Sequence, residues 1–433
     1  MRKFILTLLL VALMTKTASA GLFDNVEVSR LIDENYALVQ KDGWAELRIP
    51  QFLHRIGRTD FAPNAVDVAD KLCSAGYEVY IVGGAIRDII LGKPTNDFDI
   101  ATNATNEAIK DILGNVTFHK ADGKLFCYAH YPDGDVDVAT FYNIPSAYIG
   151  QHGVPDFDPN ESTTILARND SFRRDLTVNA LYYDMRTNEI VDWHGGLHDL
   201  RNRVLDTLTD ADLSIRNAPP NAIRALRFKA RYGFRFSERL EKAMKDHAAE
   251  YLSLLSSGSL GSQTQRMFRG GFAVNSFEVL TDYNVMGSLF PPVKELASSV
   301  PYLAFEKSAM QLIDEQRKSN GTITRSLVMA VVLWPAVEER ARVSGFEKAV
   351  KETLDEESRV YRFAKNEREN VESLLRFEYS LTLTPLNVKE ATASPFFNDA
   401  LLILKVRALS DLDAARVPNF LLEQNENALP EAA

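Results

Sequence analysis

The hydrophobic pattern divides the chain into a mixed first half and a helical second half. Residues 63–75 (PNAVDVADKLCSA) carry apolar side chains at helical spacing, and Gly76 follows as a C-cap. Tyr77 to Val82 is a strand by composition and runs straight into Gly83-Gly84. A helix over 85–91 opens on that glycine turn, residues 97–101 (DFDIA) alternate as a strand, and 104–113 are helical. Residues 116–142 read as further strands with a turn at Pro132-Asp133-Gly134. The polar stretch 144–172, holding Gly, Pro and Asp, reads as a mobile loop, and 21–60 as a loosely packed arm. After Thr177 strand signals are few apart from 189–193 (EIVDW), and helical patterns dominate from 221. A Gly/Ser-rich break at 256–262 (SSGSLGS) separates two helical blocks, and the last residues (EQNENALPEAA) read as a frayed acidic tail. The fold class is α+β, a mixed sheet with helices followed by an all-helical region.

Composition narrows this picture. A chain of 433 residues implies two to four structural units, and 45% hydrophobic with 25% charged residues is ordinary for a soluble globular protein. Nucleic-acid binders usually show a basic excess, so with a net charge of -10 any such site is a local basic groove on an acidic protein. Two cysteines, Cys73 and Cys127, exclude a disulfide scaffold and a cysteine zinc site. They read as separate buried thiols, with a single disulfide as the alternative in an oxidising compartment. Arg2 and Lys3, the apolar run Phe4 to Met14, and Ala18-Ser19-Ala20 form the pattern of a secretory signal peptide over residues 1–20. That pattern implies export, periplasmic or secreted; the alternative is a start at Met14 and a cytoplasmic protein. No later stretch holds 18 uninterrupted apolar residues, so no transmembrane helix and no stable membrane insertion are expected.

The chemistry concentrates in Gly83-Gly84-Ala85-Ile86-Arg87-Asp88, then Leu91-Gly92, then Asp97-Phe98-Asp99. Two glycines let backbone approach a triphosphate closely, the following helix offers free N–H groups, and Arg87 adds a charged fork. Asp97 and Asp99, two apart on a strand, share one face at roughly 6–7 Å. Paired carboxylates together with phosphate oxygens are the hard ligands that two magnesium ions accept. A third acid is expected from a neighbouring strand: Asp137, in VDVATF, alternates with apolar residues, and Asp135 is the same-face backup. A lone GG is a turn and a lone DxD a solvated strand edge; strand, GG, helix and DxD in that order are far more specific.

GGAIRDIILGKPTNDFDIATNAT is similar to the signature of the class II nucleotidyltransferases, which include bacterial poly(A) polymerases and CCA-adding tRNA nucleotidyltransferases. A second segment, Arg173 to Leu181 (RRDLTVNAL), resembles the family's RRDFTxNxL, and a third, Ile223 to Arg231 (IRALRFKAR), its RAxRFxA helix. The resemblance runs from about residue 60 to 290; beyond 300 it is weaker, although Leu327 to Glu338 resembles the tail helix of bacterial poly(A) polymerases. It implies a polymerase-beta-like head with a helical neck, body and tail. The expected divisions are 21–60 arm, 61–175 head, 176–260 neck, 261–300 body and 301–433 tail, the last a candidate RNA-binding region. It further implies Mg²⁺ on Asp97 and Asp99 with Asp137 assisting, and ATP as substrate. Gly83, Gly84, Arg87 and Asp88 would lie at the triphosphate; Arg174, Asp175 and Asn179 would contact sugar and phosphates. Arg224 and Arg227, three apart on a helix, share a face and would reach the phosphates.

The sequence departs from the family where the nucleobase is selected. The E-D-x-x-R box before RAxRF is here Asn217-Ala218-Pro219-Pro220-Asn221. Alanine makes no side-chain hydrogen bond, and Asn221 is shorter than Arg and neutral. Such losses cost on the order of 1–3 kcal/mol each in base discrimination when the groups are buried. ATFR becomes Ala139-Thr140-Phe141-Tyr142, and a stretch like GRRFRLAHV becomes Gly123 to Tyr131 with two arginines gone. Asp156 to Asn160 begins like a calcium loop but has Glu161 and Ala167 at its sixth and twelfth positions, so it reads as a polar loop. His194 and His198 are four apart, but Gly195 and Gly196 between them argue against a helical metal pair. The expectation is a template-independent RNA nucleotidyltransferase adding AMP to RNA 3′ ends. The alternatives are CCA addition, or a degenerate, non-catalytic nucleic-acid-binding relative.

Overall fold

Strand β2 (Val79–Val82) is buried along its whole length and forms the axis of the sheet around it. The computed structural model describes residues 21–121, 124–141, 163–319, 321–383 and 388–409. Residues 1–20, read above as a signal peptide, the calcium-like loop, Tyr142 and the acidic tail lie outside the described residues. Two compact units are present, residues 1–214 with 235–240, and 215–234 with 241–433.

The first unit is built on eight strands: β1 (Leu47–Ile49), β2, β3 (Asp99–Thr102), β4 (Val116–Ala121), β5 (Lys124–Ala129), β6 (Val136–Thr140), β7 (Leu181–Asp184) and β8 (Glu189–Asp192). Their order across the sheet is β1-β8-β7-β2-β3-β6-β5-β4. Only β3 and β6 run parallel; every other neighbouring pair is antiparallel. Its longer helices are α1 (Val26–Asp42), α2 (Pro63–Ser74), α3 (Gly84–Ile90), α4 (Asn106–Leu113), α5 (Thr163–Ser171) and α6 (Gly196–Arg201). α2 packs on β2, β3 and β6, and α3 packs on β2 and β7. Tyr80, Val82, Ala101, Tyr182, Val191 and Trp193 form a cluster with Ala167 of α5, flanked by Trp44 and Phe141. Alternation along β2 and β3 puts Val82 and Ala101 on the same face as Asp99.

Three expectations are corrected here. The arm is not loose: Asn25 caps α1 by accepting from Glu27 N and Val28 N, and α1 buries Val28 and Ile32. β1 then adds to the edge of the sheet beside β8, where Arg48 reaches Asp184 (3.3 Å) and Glu189 (3.1 Å). The polar stretch 144–172 ends in α5; its Arg168, Asn169 and Asp170 are buried, so their polarity marks internal pairing rather than exposure. Arg168 lies over the Trp44 ring at 3.6 Å. The sheet also continues beyond residue 175, because β7 is an interior strand between β2 and β8. Its unbroken burial left no alternation to read.

The second unit is helical. Its main helices are α8 (Pro220–Tyr232), α10 (Ser257–Phe268), α11 (Ala273–Asp282), α12 (Val300–Lys318), α13 (Arg325–Ser344), α14 (Phe346–Glu357), α15 (Glu367–Leu381) and α16 (Phe397–Arg407), while α7 (Ala211–Asn217) and α9 (Glu238–Ser253) each begin in residues of the first unit. α13 buries every residue from Leu327 to Trp334, apolar on all sides as a central helix must be, and packs on α14 and α15. The expected break falls at 254–256, between α9 and α10; Ser256 caps α10, and the rest of the Gly/Ser-rich segment is helical. A Cβ on Gly261 would stand 3.2 Å from the Tyr361 ring, so the small residues serve close packing. The Tyr361 hydroxyl donates to Glu367 (2.7 Å), and Arg325 closes on the same carboxylate (3.1 Å). Among the described residues no helix is long and apolar enough to cross a membrane.

At the start of α6 a Cβ on Gly196 would lie 2.2 Å from the backbone oxygen of Thr177. Gly196→Ala is therefore expected to destabilise the first unit by about 3 kcal/mol, as overpacking against backbone does. Gly43→Ala, at φ +82 with open space around it, should cost only about 1 kcal/mol. Denaturant midpoints of the two variants check the contrast; equal midpoints would refute the tight contact.

Candidate active site

The acids gather at one end of the sheet through strand register. β3 begins at Asp99, with Asp97 just before it, and the expected alternation survives: Phe98 is buried between exposed Asp97 and half-buried Asp99. Asp99 pairs with Val82 at the end of β2. In the parallel pair Ile100 matches Val138, so one step back Asp99 stands beside Asp137, roughly 5 Å away across neighbouring strands. Burial, then the charges of Asp99 and Asp97, push the Asp137 carboxyl up to about 6, opposed by Arg173 and Arg174. Asp137 Oδ1 is buried and has no hydrogen-bond partner among the described residues. The backup acid, Asp135, is engaged elsewhere, accepting from His130 Nδ1 at 2.8 Å.

Gly83 turns the chain at φ +76, and its N–H donates to Leu181 O (3.0 Å). A side chain there would stand 3.7 Å from Asn179 O and 3.9 Å from Arg174 Nη1, so the turn, Asn179 and Arg174 share one spot. Arg87 is buried; its Nε donates to Asp88 Oδ1 (3.0 Å) and its Nη1 to Asn179 Oδ1. Asn179 Nδ2 donates in turn to Asp175 Oδ1 (2.8 Å), which also accepts from Leu176 N (2.9 Å). Asp88, Arg87, Asn179 and Asp175 thus form one buried network, joining two motifs far apart in sequence.

Sequence reasoning missed the hub beside them. Asp170 is fully buried and accepts from Arg173 Nε (2.5 Å), Arg174 Nη2 (3.2 Å) and the Tyr182 hydroxyl (2.6 Å). Arg174 Nε donates to the same hydroxyl oxygen (3.2 Å). Burial works against the Asp170 charge, but the two arginines hold its carboxyl below the usual value. The spacing of Asp170 to Arg173 and Arg174, three and four residues on, was the available signal. His194 steadies the same turn: its Nε2 meets Ser171 Oγ at 2.6 Å and its ring meets Phe172 edge-on. The glycines before His198 do not prevent a helix but open α6, and His198 stacks on Tyr36 at 3.6 Å.

Asn221, Arg224 and Arg227 lie in the second unit on α8, whose Ala222, Ile223, Ala225 and Leu226 are buried. Arg224 and Arg227 are half-buried on one face, and the Arg227 guanidinium lies 4.7 Å from the Phe228 ring. Asn217 is exposed at the end of α7, and Asn221 N donates to Ala218 O (2.8 Å). Cys73 and Cys127 are both free thiols, and burial raises Cys127 to about 11.

The donor set fits magnesium. Among the described residues no three His, Cys, Asp or Glu side chains close into a complete metal cage. Magnesium needs none, since it keeps several waters and takes one or two carboxylates with substrate phosphates. The unpartnered Asp137 oxygen and the mutual repulsion of three acids are what a bound cation relieves.

Known proteins resemble this chain in sequence and in fold. Residues 79–206 match the family model of the poly(A) polymerase head domain. The chain is 27% identical to poly(A) polymerase I of Escherichia coli O6:H1 over 331 residues, covering 72% of this chain and 70% of that protein. It is 30% identical to poly(A) polymerase I of Haemophilus influenzae over 300 residues, 66% and 65% of the two chains. In fold it resembles the Bacillus stearothermophilus CCA-adding enzyme solved in complex with CTP, with a TM-score of 0.60, 21% identity, and 84% and 82% coverage. The chain belongs to the class II nucleotidyltransferase family.

Burial, then Arg168, push His194 down to about 3 from an ordinary 6.5. Its folded value lies below its unfolded one, so the unfolded chain takes the proton first. The stability this group contributes is complete above about pH 6.5 and lost as pH falls toward 3. Melting temperatures of the wild type should drop more steeply between those limits than those of His194→Gln; parallel curves would exclude the effect.

Proposed function

We propose that the chain is a template-independent RNA nucleotidyltransferase that adds AMP from ATP to RNA 3′ ends. The observation that carries this reading is the end-of-sheet cluster: Asp97, Asp99 and Asp137 beside the Gly83-Gly84 turn, with Arg174 at the same spot. The bond formed joins the RNA 3′ oxygen to the α-phosphorus; the bond broken is that from the α-phosphorus to the oxygen leading to the β-phosphate, and pyrophosphate leaves. Asp97 and Asp99, with Asp137, would hold two magnesium ions, which lower the pKa of the attacking hydroxyl and neutralise charge on the leaving group. Gly83 and Gly84 admit the phosphates to the backbone, and Arg174 offers them its guanidinium. Arg87, Asp88, Asn179 and Asp175 fix that turn from below. In this reading the Asp137 carboxylate takes up the proton that the 3′ hydroxyl gives up.

The altered box from Asn217 to Asn221 favours relaxed base choice. With alanine at its second position and a short neutral amide at its fifth, it offers fewer hydrogen bonds to a base edge than Asp and Arg would. CCA addition requires strict CTP and ATP order and fits such a box less well than addition of a single nucleotide. In the compartment reading, cleavage after Ala20 leaves Gly21 as the first residue. Mass spectrometry of the protein from its own host reads this directly; an intact Met1 would remove the case for export.

Purified residues 21–433 with Mg²⁺ and a labelled RNA should extend it with ATP, and the Asp97→Ala/Asp99→Ala variant should lose at least a hundredfold in rate. UTP, GTP and CTP offered singly should be used within about tenfold of ATP, the loss expected for one missing buried hydrogen bond. Failure with every nucleotide, from folded protein, would overturn the enzyme reading.

A further inference from the structure

Beyond the acids, on the far side from the glycine turn, lies an aromatic side chain that the chemistry above does not use. Tyr128 of β5 pairs directly with Asp137 of β6, so both stand on the same face. On the other side Tyr128 pairs with Thr117 of β4. Thr117, Tyr128, Asp137 and Asp99 therefore form a row across four strands, at the end of the sheet that carries Gly83. The Tyr128 ring is half-buried and meets the exposed His119 ring edge-on, with centroids 5.6 Å apart at 64°. His119 is held by Thr117 (3.4 Å), whose hydroxyl also meets His130 Nε2 (2.8 Å), and Asp135 fixes His130 from behind. Among the described residues the Tyr128 hydroxyl makes no hydrogen bond, so neither core packing nor a polar anchor accounts for the ring.

The order of strands assigns this ring a partner. The phosphate-admitting turn follows β2; the acids sit on β3 and β6; Tyr128 sits on β5. In-line transfer puts the attacking oxygen and the leaving pyrophosphate on opposite sides of the α-phosphorus. With pyrophosphate on the β2 side, the attacking 3′ hydroxyl arrives from the β6–β5 side, and its nucleotide comes to rest over Tyr128. We infer that Tyr128, steadied by His119, is the stacking platform for the 3′-terminal base of a single-stranded RNA acceptor. Stacking is tolerant of base identity, because every base presents a π-face.

The inference rests on the functional reading above, and the test keeps the two apart. The full chain, Tyr128→Ala, Tyr128→Phe and His119→Ala are compared, with circular dichroism to confirm folding. Binding of a 5′-fluorescein single-stranded oligoribonucleotide is followed by anisotropy, beside the same oligonucleotide with an abasic 3′-terminal residue. KM for RNA, KM for ATP and kcat are measured in parallel. Tyr128→Ala should weaken the intact oligonucleotide, and raise KM for RNA, about tenfold (roughly 1.4 kcal/mol), with KM for ATP unchanged. Tyr128→Phe should stay within about twofold of wild type, since the π-face is kept. The abasic end should weaken wild type by a similar factor and Tyr128→Ala not at all. A rise in KM for ATP instead would put the incoming base on this ring and overturn the platform, as would equal losses on both oligonucleotides or none. If wild type extends no RNA, the enzyme reading falls alone, and the anisotropy comparison still decides what the ring holds.

Discussion

Repulsion among three carboxylates is the constraint around which the first unit is arranged. Two unit charges roughly 5 Å apart on neighbouring strands oppose each other by about 3 kcal/mol at an effective dielectric constant near 20. The sheet nevertheless fixes Asp99 and Asp137 side by side, because their register is set by the ladder and by the apolar positions on either side of them. The surroundings compensate. The end of α5 brings Arg173 and Arg174 to face these acids, and Asp170 and Tyr182 hold the arginines in place. Asp170 could not stay charged in full burial without that pair of guanidinium groups. The packing of α5 on Tyr182 and Trp193 is thus tied to the electrostatics of strands far from it in sequence.

Much of this was legible in the chain because each signal was local. Strand β2, its glycine turn, α3 and the alternation through Asp97, Phe98 and Asp99 all fall within one short stretch, and the structure keeps each of them. Asp137 was found for the same reason, as a polar residue alternating on an apolar strand. What was lost depended on partners distant in sequence. β1 reads as arm until β8 is beside it, and α5 reads as loop because its charges are satisfied by Trp44, Tyr182 and the arginines that follow. β7, buried on both faces, has no alternation to show. The Gly/Ser run signalled the break before α10, but Gly261 within the helix is there for Tyr361, a contact about a hundred residues downstream.

In the proposed function the two halves of nucleotide recognition rest on different physical supports, so that one can change without the other. Metal and phosphate binding would depend on the register of β2, β3 and β6 and on a network from Asp88 to Asp175 that is buried and mutually bonded. Any substitution there leaves a buried charge or amide unpaired, so it is costly to stability as well as to chemistry. Base selection, by the family resemblance, would fall at the junction of α7 and α8, where Asn217 is exposed and Ala218 and Asn221 are joined through backbone. Changes at that junction remove hydrogen bonds to a ligand without orphaning anything inside the protein. A chain can therefore lose its discrimination among bases while the carboxylate end of its sheet stays intact, and a stacking surface that is indifferent to base identity is the kind of acceptor site compatible with that loss.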